Sequence, residues 1–324
     1  MTSRLHSPPA RSARQPFVQR HPRLQRWLRN NGAPLMMSLP AILLLFVFAY
    51  LPMFGIIIAF KEYRFDQGIL GSQWIGLTNF KFLFGTDIAW RITRNTLLMN
   101  FLFIITGTVT NIGVALLMNE LQGTLRAKFY QSAMFLPYFI SWVVVGYFVY
   151  AFLNVDQGIV NKVLAYFGID GPAWYREPNY WPVILLLTTL WKGVGYGSIL
   201  YLAVILGINP EFYEAAKMDG ASKLQQIRYI TLPHLTSVVI ILTMFAIAGI
   251  FRSDFGLFFN VTRNQSALYP TTDVIDTFVY RALRQMNDLG MSAAAGVYQA
   301  VVGFGLVLIV NWLIRRVDPA RALF

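Results

Sequence analysis

Long apolar stretches separated by short polar segments dominate the sequence. About 20 apolar residues are needed to cross roughly 30 Å of hydrocarbon as an α-helix. Six stretches reach that length, at about 35–60, 95–118, 130–152, 181–207, 235–258 and 293–314. The pattern therefore predicts an all-α integral membrane protein with six transmembrane helices.

The segment 208–234, between the fourth and fifth apolar stretches, is polar and carries clear helix signals. Asn209 is a favourable N-cap, and Pro210 fits the first helical position, where no backbone N–H is needed. Gly220 predicts the end of this helix, because glycine enters the left-handed conformation of a C-terminal cap without steric cost.

A second helix is expected directly after this glycine. Ser222 followed by Gln225 has the spacing of a capping box. Pro233 is expected to end that second helix, since proline lacks a backbone donor and clashes with the preceding turn. The segment is therefore predicted to contain two short helices joined by a glycine elbow. It is either a solvated hairpin or a docking element for another protein.

The composition supports a membrane protein and excludes several kinds of chemistry. The chain is 56% hydrophobic and 13% charged, which is too apolar for a soluble domain of this length. It has no cysteine and only three scattered histidines, which argues against disulfides and a metal centre. No phosphate-binding loop of the Gly-x-x-x-x-Gly-Lys type occurs. If ATP and Mg²⁺ are used, another subunit must bind them.

Residues 1–34 carry seven arginines and no acidic residue. A mitochondrial transit peptide has a similar composition, but the five prolines of this segment interrupt the amphipathic helix that such a peptide needs. We predict instead a disordered cytoplasmic tail. The first apolar stretch is too long for a signal-peptide core, so we expect no cleavage after it.

The distribution of basic residues predicts the orientation in the membrane. With the N-terminus inside, the inner segments hold fifteen basic and five acidic residues, whereas the outer segments and span ends hold eleven and ten. Excess lysine and arginine marks the cytoplasmic side. We therefore predict that both termini are cytoplasmic (N-in/C-in) and that the 208–234 insert is cytoplasmic too.

Two runs in the insert, Glu-Ala-Ala-Lys-Met-Asp-Gly-Ala-Ser at 214–222 and Ile-Thr-Leu-Pro at 230–233, closely resemble the EAA loop of type I, binding-protein-dependent ABC importer permeases. In that family the loop is the coupling helix, which sits in a groove of the ATPase subunit. One departure is Ile227, where the family often has an aromatic residue. The resemblance assigns ATPase coupling to Glu214, Ala215, Ala216, Asp219, Gly220 and Ala221.

Further stretches resemble the subgroup that imports oligosaccharides and polysaccharides, and within it the first permease subunit of bacterial alginate importers. They lie at 135–145, 156–161, 268–280 and 315–324. The resemblance places the ABC importer transmembrane domain at 92–315, with the coupling loop at 208–234. Residues 35–91 are then an added first transmembrane helix with its extracytoplasmic loop, and residues 1–34 and 316–324 are cytoplasmic tails.

The resemblance implies a permease subunit of the bacterial inner membrane that forms half of a pore for oligosaccharides, acidic and alginate-like. It implies a heterodimer with a second permease subunit and two ABC ATPase subunits that bind ATP and Mg²⁺. A periplasmic or extracytoplasmic solute-binding protein would deliver the cargo. The resemblance implies no cofactor or metal in this chain and no nucleic-acid partner.

Polar residues within the spans are candidates for the substrate path, because each is costly in hydrocarbon. At helical rise Lys192 lies about 16 Å from the start of its span at Trp181, near the bilayer middle. Its ammonium either contacts an anionic or polyhydroxyl substrate, or only reaches water or a backbone carbonyl. The full candidate set is Lys192, Tyr196, Trp142, Arg252 and Asp254.

A Lys192–Asp254 ion pair is not expected if the fifth span is a straight helix. In that case Asp254 lies about 28 Å from Leu235, close to the outer boundary of the membrane. Only a break in the helix would bring the two side chains to a similar depth.

No arrangement of residues is typical of an active site, so we predict a non-catalytic subunit. The main alternative is a secondary transporter or channel that works alone. Such a protein would normally show repeated halves or paired discontinuous helices, and the sequence has no internal repeat. A membrane enzyme or an assembly scaffold is the second alternative.

Overall fold

The computed structural model of the protein describes residues 22–317, apart from the side chains of residues 22–30, 82, 313 and 317. The described residues divide into two compact units, one ending at Phe54 and the other beginning at Gly55. The backbone of both is mostly helical.

Fourteen α-helices and one small sheet make up the described part of the chain. The helices are α1 Pro22–Leu45, α2 Gly68–Gly71, α3 Thr78–Phe84, α4 Ile88–Glu120, α5 Leu125–Phe135, α6 Trp142–Leu153, α7 Ile159–Tyr166, α8 Trp181–Leu206, α9 Pro210–Met218, α10 Lys223–Gln226, α11 Leu232–Ala248, α12 Tyr269–Thr272, α13 Ile275–Arg284 and α14 Leu289–Val317. The strands β1 Lys61–Glu62 and β2 Gln73–Trp74 pair antiparallel, with Lys61 opposite Trp74.

Several helices continue through 3₁₀- or π-helical turns into longer spans. Within residues 22–317, the continuous helices long and apolar enough to cross a membrane are Asn31–Phe60, Ile88–Glu120, Pro178–Leu206, Lys223–Ala248 and Leu289–Arg316. A sixth span requires the pair Leu125–Phe139 and Trp142–Leu153, which are bent by 98°. The predicted all-α membrane architecture is confirmed, and six spans result if this bent pair is one span. The N-in/C-in orientation stays a prediction.

The third span is not the continuous helix over 130–152 that the hydrophobic pattern predicts. A 3₁₀ turn at Leu136–Phe139 ends its first half, and Ile140 is extended. Pro137 cannot donate to the helix ladder. Ser141 then acts as the N-cap of α6 and accepts a hydrogen bond from the Val144 N–H at 3.4 Å. A proline and a capping serine four residues apart therefore account for the bend.

The prediction that Pro233 ends the second helix of the insert is wrong. α10 continues through a π-helical turn at Ile227–Thr231 into α11, so Lys223–Ala248 is one helix. In a regular helix the proline ring clashes with the carbonyl four residues earlier. The wider π-helical turn ahead of Pro233 changes the position of that carbonyl. The second half of the insert is thus the beginning of the fifth span.

The fifth span also ends earlier than the predicted residue 258. α11 stops at Ala248, residues 249–254 form a turn and an irregular segment, and a π-helical turn follows at Leu257–Val261. Asp254 helps to start this second segment, because its Oδ1 accepts a hydrogen bond from the Leu257 N–H at 3.2 Å. The straight fifth helix assumed for the depth of Asp254 is therefore wrong.

The predicted disordered tail is partly helical. Residues 22–34 belong to α1. The described part of this helix begins at Pro22, and no further proline occurs until Pro34. Residues 1–21 of the predicted tail, and residues 318–324 at the other end, lie outside the described residues.

The helices around the insert are joined by a hydrophobic core. α4 and α8 pack along each other, and α11 contacts both. Where their ends meet, one buried cluster contains Ala115, Tyr201, Leu202, Ile205 and Leu235. In a membrane protein such a cluster holds helices together through close van der Waals packing. This cluster holds together the end of α8 and the start of α11, which the insert connects.

Candidate coupling site and transport path

α9 begins and ends with the caps that its sequence predicts. The side chain of Asn209 accepts a hydrogen bond from the Glu211 N–H at 3.1 Å. At the other end Gly220 has a φ of +77°, and the Ala221 N–H donates to the Ala216 carbonyl at 2.9 Å. This is the long hydrogen bond of a Schellman motif, which closes a helix through a left-handed residue.

The second helix of the insert starts with the predicted capping box. The Ser222 N–H donates to Gln225 Oε1 at 2.7 Å, and the Gln225 N–H donates to Ser222 Oγ at 3.4 Å. Gln226 is buried, and its amide donates to the Ala221 carbonyl at 3.0 Å. The elbow between the two helices is therefore held by its own hydrogen bonds, without help from a partner.

Two contacts tie the insert to the body of the protein. The Tyr213 and Thr231 hydroxyls hydrogen-bond at 3.0 Å, linking α9 to the π-helical turn. Lys223 forms an ion pair with Glu120 at 2.8 Å at the end of α4. Both partners of this pair are largely exposed, so it contributes little. A groove of about 310 Å³ remains beneath α9, lined partly by Tyr213 and by Ile205 of the core.

Three large apolar side chains of the insert are exposed among its charged and polar residues. Met218 is 88% exposed, Leu224 75% and Phe212 53%. Large apolar side chains that a polar segment leaves exposed are candidates for contact with another protein. The predicted coupling residues lie along this segment: Glu214, Ala215, Asp219 and Gly220 are exposed, and Ala216 and Ala221 are half-buried. Their role in coupling stays a prediction.

Lys192 lies against the bend of the third span. Its ammonium donates to the carbonyls of Tyr138 and Ile140, both at 2.6 Å, and to that of Pro137 at 3.3 Å. It also lies 5.2 Å from the ring centroid of Trp142. A lysine has three protons to donate, and three carbonyls at the C-terminal end of a helix accept them. This geometry favours the structural interpretation of Lys192, and its role on a substrate path stays a prediction.

The structure brings three other candidate residues to the same place. Trp142 Nε1 donates to Asp254 Oδ2 at 2.7 Å. The rings of Tyr196 and Tyr138 stack at 4.4 Å with an interplanar angle of 8°. Lys192 and Asp254 thus approach the same tryptophan, one over its ring and the other at its indole nitrogen. The broken fifth helix makes this arrangement possible.

Arg252 faces a different space. It lines a cavity of about 380 Å³ between α4, α8 and the end of α11, together with Thr108 and Asn111. The side-chain amide of Asn100 donates to the backbone carbonyl of Arg252 at 3.2 Å. The candidate path residues therefore form one cluster of four, with Arg252 apart from it.

Close helix contact explains a glycine beside Lys192. A Cβ atom placed on Gly195 would lie 1.9 Å from the carbonyl oxygen of Met134 in α5. Only glycine allows α8 to approach the first half of the third span at this distance. The approach brings the Lys192 ammonium within reach of the bend.

Replacing Lys192 with methionine should destabilise the bend. The substitution leaves three backbone carbonyls, two of them in partly buried hydrogen bonds, without this donor, so the apparent free energy of unfolding should fall by roughly 2 kcal/mol. Lys192→Arg should recover part of the loss, because charge and donors survive in a different geometry. Thermal unfolding in detergent, followed by intrinsic fluorescence, measures the effect. Wild-type stability combined with lost transport would instead favour the path role.

Sequence reasoning missed a buried ion cluster at the loop before α13. Asp273, fully buried, pairs with Arg281 and with Arg91 at 3.0 Å. The Arg281 guanidinium also lies 4.1 Å from the ring centroid of Tyr269. Burial raises the pKa of the Tyr269 phenol, and Arg281 partly opposes this shift. The cluster fastens the loop to the start of α4.

The side-chain amide of Asn95 strengthens this attachment. It donates to the carbonyls of Asp273, Tyr269 and Pro270 at 3.1–3.3 Å. The only sequence signal for this ion cluster is that Asp273 falls in the 268–280 stretch that resembles the sugar-importing subgroup. Its partner Arg91 is 182 positions away in the sequence, so no local pattern predicts the pair.

Comparison with known proteins identifies the family. Residues 18–320 match the family described as "Binding-protein-dependent transport system inner membrane component". The chain is 35% identical over 284 residues to the polygalacturonan/rhamnogalacturonan transport system permease protein YteP of Bacillus subtilis (strain 168), covering 87% of each chain. It is 27% identical to the sulfoquinovosyl glycerol transport system permease protein SmoG of Agrobacterium fabrum (strain C58 / ATCC 33970), covering 91% of this chain and 94% of that protein.

Solved structures agree with this assignment. A chain from the crystal structure of a bacterial ABC transporter involved in the import of the acidic polysaccharide alginate matches with a TM-score of 0.82 and 33% identity, over 91% of this chain and 99% of the other. A second structure of a bacterial alginate ABC transporter, in complex with an alginate pentasaccharide-bound periplasmic protein, matches with a TM-score of 0.81 and 33% identity, over 91% and 98% of the two chains. The family expected from the insert is confirmed: the chain belongs to the binding-protein-dependent transport system inner membrane components.

Proposed function

We propose that this protein is a non-catalytic permease subunit of the bacterial inner membrane, forming half of the pore of an ATP-driven oligosaccharide importer. A second permease subunit completes the pore as a heterodimer. A solute-binding protein delivers the oligosaccharide from outside. Two ATPase subunits bind ATP and Mg²⁺. They dock on the cytoplasmic inserts of the two permeases.

The exposed apolar side chains of the insert are the observation that carries this proposal. The insert holds its own shape through the Gly220 elbow and the capping box at Ser222, yet it leaves Met218 and Leu224 uncovered. A preformed apolar surface loses little conformational entropy when a partner binds. The second half of the insert continues directly into the fifth span. Movement of a docked ATPase would therefore act on a membrane helix.

The relatives support an acidic oligosaccharide as the cargo. The similar solved transporter imports the acidic polysaccharide alginate, and the similar permease from Bacillus subtilis is named for polygalacturonan, a polymer of a uronic acid. A carboxylate-bearing oligosaccharide is thus the proposed substrate class.

A secondary transporter that works alone would also use interrupted membrane helices, and the third span is interrupted by a bend of 98°. The family match and the exposed α9 favour the ATP-driven importer. Genes for a second permease and an ATPase beside this one would agree with that choice.

The experiment that tests the proposal is co-purification with the partner subunits, followed by ATPase assays in proteoliposomes. Binding protein loaded with an acidic oligosaccharide should stimulate ATP hydrolysis by the wild-type complex. Glu214→Lys should abolish ATPase docking, whereas α9 itself loses at most about 0.5 kcal/mol, because residue 214 lies beyond the first helical turn. Glu214→Gln, which removes the charge without reversing it, is the matched control and should give an intermediate result. Normal docking and stimulation in Glu214→Lys would contradict the coupling role.

A further inference from the structure

A further, smaller cavity lies between α6 and the helical segment that precedes Arg263. Its volume is about 230 Å³, below the roughly 300–1,000 Å³ of a pocket for a whole ligand. It is suited to one unit of a longer chain. The lining residues are Val143, Gly146, Tyr147, Phe259, Asn260 and Arg263.

Arg263 gives this cavity a free positive charge. Its guanidinium lies 4.0 Å from the ring centroid of Tyr150 and 6.0 Å from that of Tyr147. Among the described residues, no carboxylate forms an ion pair with it. Arg91 and Arg281, by contrast, share the carboxylate of Asp273. The exposed guanidinium therefore keeps its hydrogen-bonding edge available to a ligand.

The backbone at this position is unusual for an arginine. Arg263 has a φ of +55° and Asn264 a φ of +49°. The left-handed region is unfavourable for a residue other than glycine, and asparagine tolerates it best. The Asn264 N–H donates to Thr262 Oγ1 at 3.2 Å, and the Tyr269 hydroxyl donates to the Asn264 carbonyl at 3.3 Å. These bonds hold the turn that aims Arg263 at the cavity.

The other lining groups match the parts of a sugar. Tyr147 is 64% exposed and offers an aromatic face to the apolar side of a pyranose ring. The side-chain N–H of Asn260 donates to the Gly256 carbonyl at 2.9 Å, so its Oδ1 is available to accept from a sugar hydroxyl. A guanidinium binds a carboxylate through two parallel hydrogen bonds.

We propose that Arg263, Tyr147 and Asn260 form a subsite for one uronate unit of the transported oligosaccharide. Arg263 binds the carboxylate, Tyr147 stacks on the ring, and Asn260 accepts a hydrogen bond from a hydroxyl. The inference rests on the proposed function, because it names a place where an acidic cargo is selected. It makes Arg263 a specificity-determining residue of the permease, separate from the specificity of the binding protein.

The test compares a uronate tetrasaccharide with its carboxyl-reduced, neutral counterpart in uptake by the full complex in proteoliposomes of zwitterionic lipid. Arg263→Asn suits the left-handed backbone while removing the guanidinium, so the turn is preserved. It should lower uptake of the uronate about ten- to a hundredfold, as expected for loss of a charge-assisted hydrogen bond, and leave the neutral sugar unchanged. Arg263→Lys should recover part of the uptake. Arg284→Gln, which removes another exposed arginine, should have no effect.

The outcomes separate the subsite from the function on which it rests. Equal uptake of the uronate by wild type and Arg263→Asn overturns the subsite and leaves the importer intact. An equal loss for both sugars assigns Arg263 a structural role and also overturns it. A loss seen only when anionic phospholipid is added identifies a lipid headgroup as the ligand and overturns it too. A wild-type complex that transports neither sugar overturns both the proposed function and the subsite.

Discussion

Replacing Asp273 with asparagine should markedly lower the stability of the protein in detergent. Asp273 is the shared carboxylate of Arg91 and of Arg281, whose side chain is only 6% exposed. Removing one partner of a buried ion cluster leaves an uncompensated charge and costs about 3–5 kcal/mol. The apparent unfolding temperature, followed by intrinsic fluorescence, measures this loss.

Two further variants interpret the result. Asp156→Asn removes an exposed carboxylate and should leave the unfolding temperature near that of the wild type. The double variant Asp273→Asn, Arg281→Gln also removes the uncompensated charge of Arg281, so it should be more stable than Asp273→Asn alone. Wild-type stability of Asp273→Asn would show that the loop does not depend on this cluster.

Replacing Gly220 with valine should abolish transport in a protein that still inserts and folds. At a φ of +77° a β-branched residue costs about 1–2 kcal/mol or more, and the elbow can relieve this strain by changing its angle. The surroundings of Gly220 are open, because a Cβ atom placed there would meet nothing within 4 Å apart from its chain neighbours. Backbone conformation alone therefore decides the outcome. Substrate-stimulated ATP hydrolysis in proteoliposomes is the measurement.

Gly220→Asn is the matched control, because asparagine enters the left-handed region more readily than other residues with a side chain. It should keep most of the activity. Stimulation by the valine variant at the wild-type level would mean that the elbow angle is unimportant for coupling.

The local parts of the insert could be predicted because their signals are local. Asn209, Gly220 and Ser222 act on backbone groups within five residues, and each adopts the predicted geometry. Pro233 failed as a helix terminator because a π-helical turn ahead of it preserved the helix. The sequence contains no comparable signal for that turn.

The arrangement of the membrane residues could be predicted only in part. Hydropathy located the spans, but it treats each as a straight rod. The bend at Ser141 and the break after Ala248 bring Trp142 within 2.7 Å of Asp254, 112 positions away. Contacts across such distances depend on how helices pack. Lys192 was recognised as unusual, but its carbonyl partners lie on another helix, more than fifty positions away.

The uninterrupted helix Lys223–Ala248 has a mechanical consequence. Its 26 residues extend about 39 Å, and a helix is stiff along its axis. A displacement of α9 would therefore be transmitted along this helix to its far end. The first compliant joint that it meets is the irregular segment after Ala248, which carries Asp254 and its bond to Trp142. We expect that joint, rather than the Gly220 elbow, to yield when the transporter works.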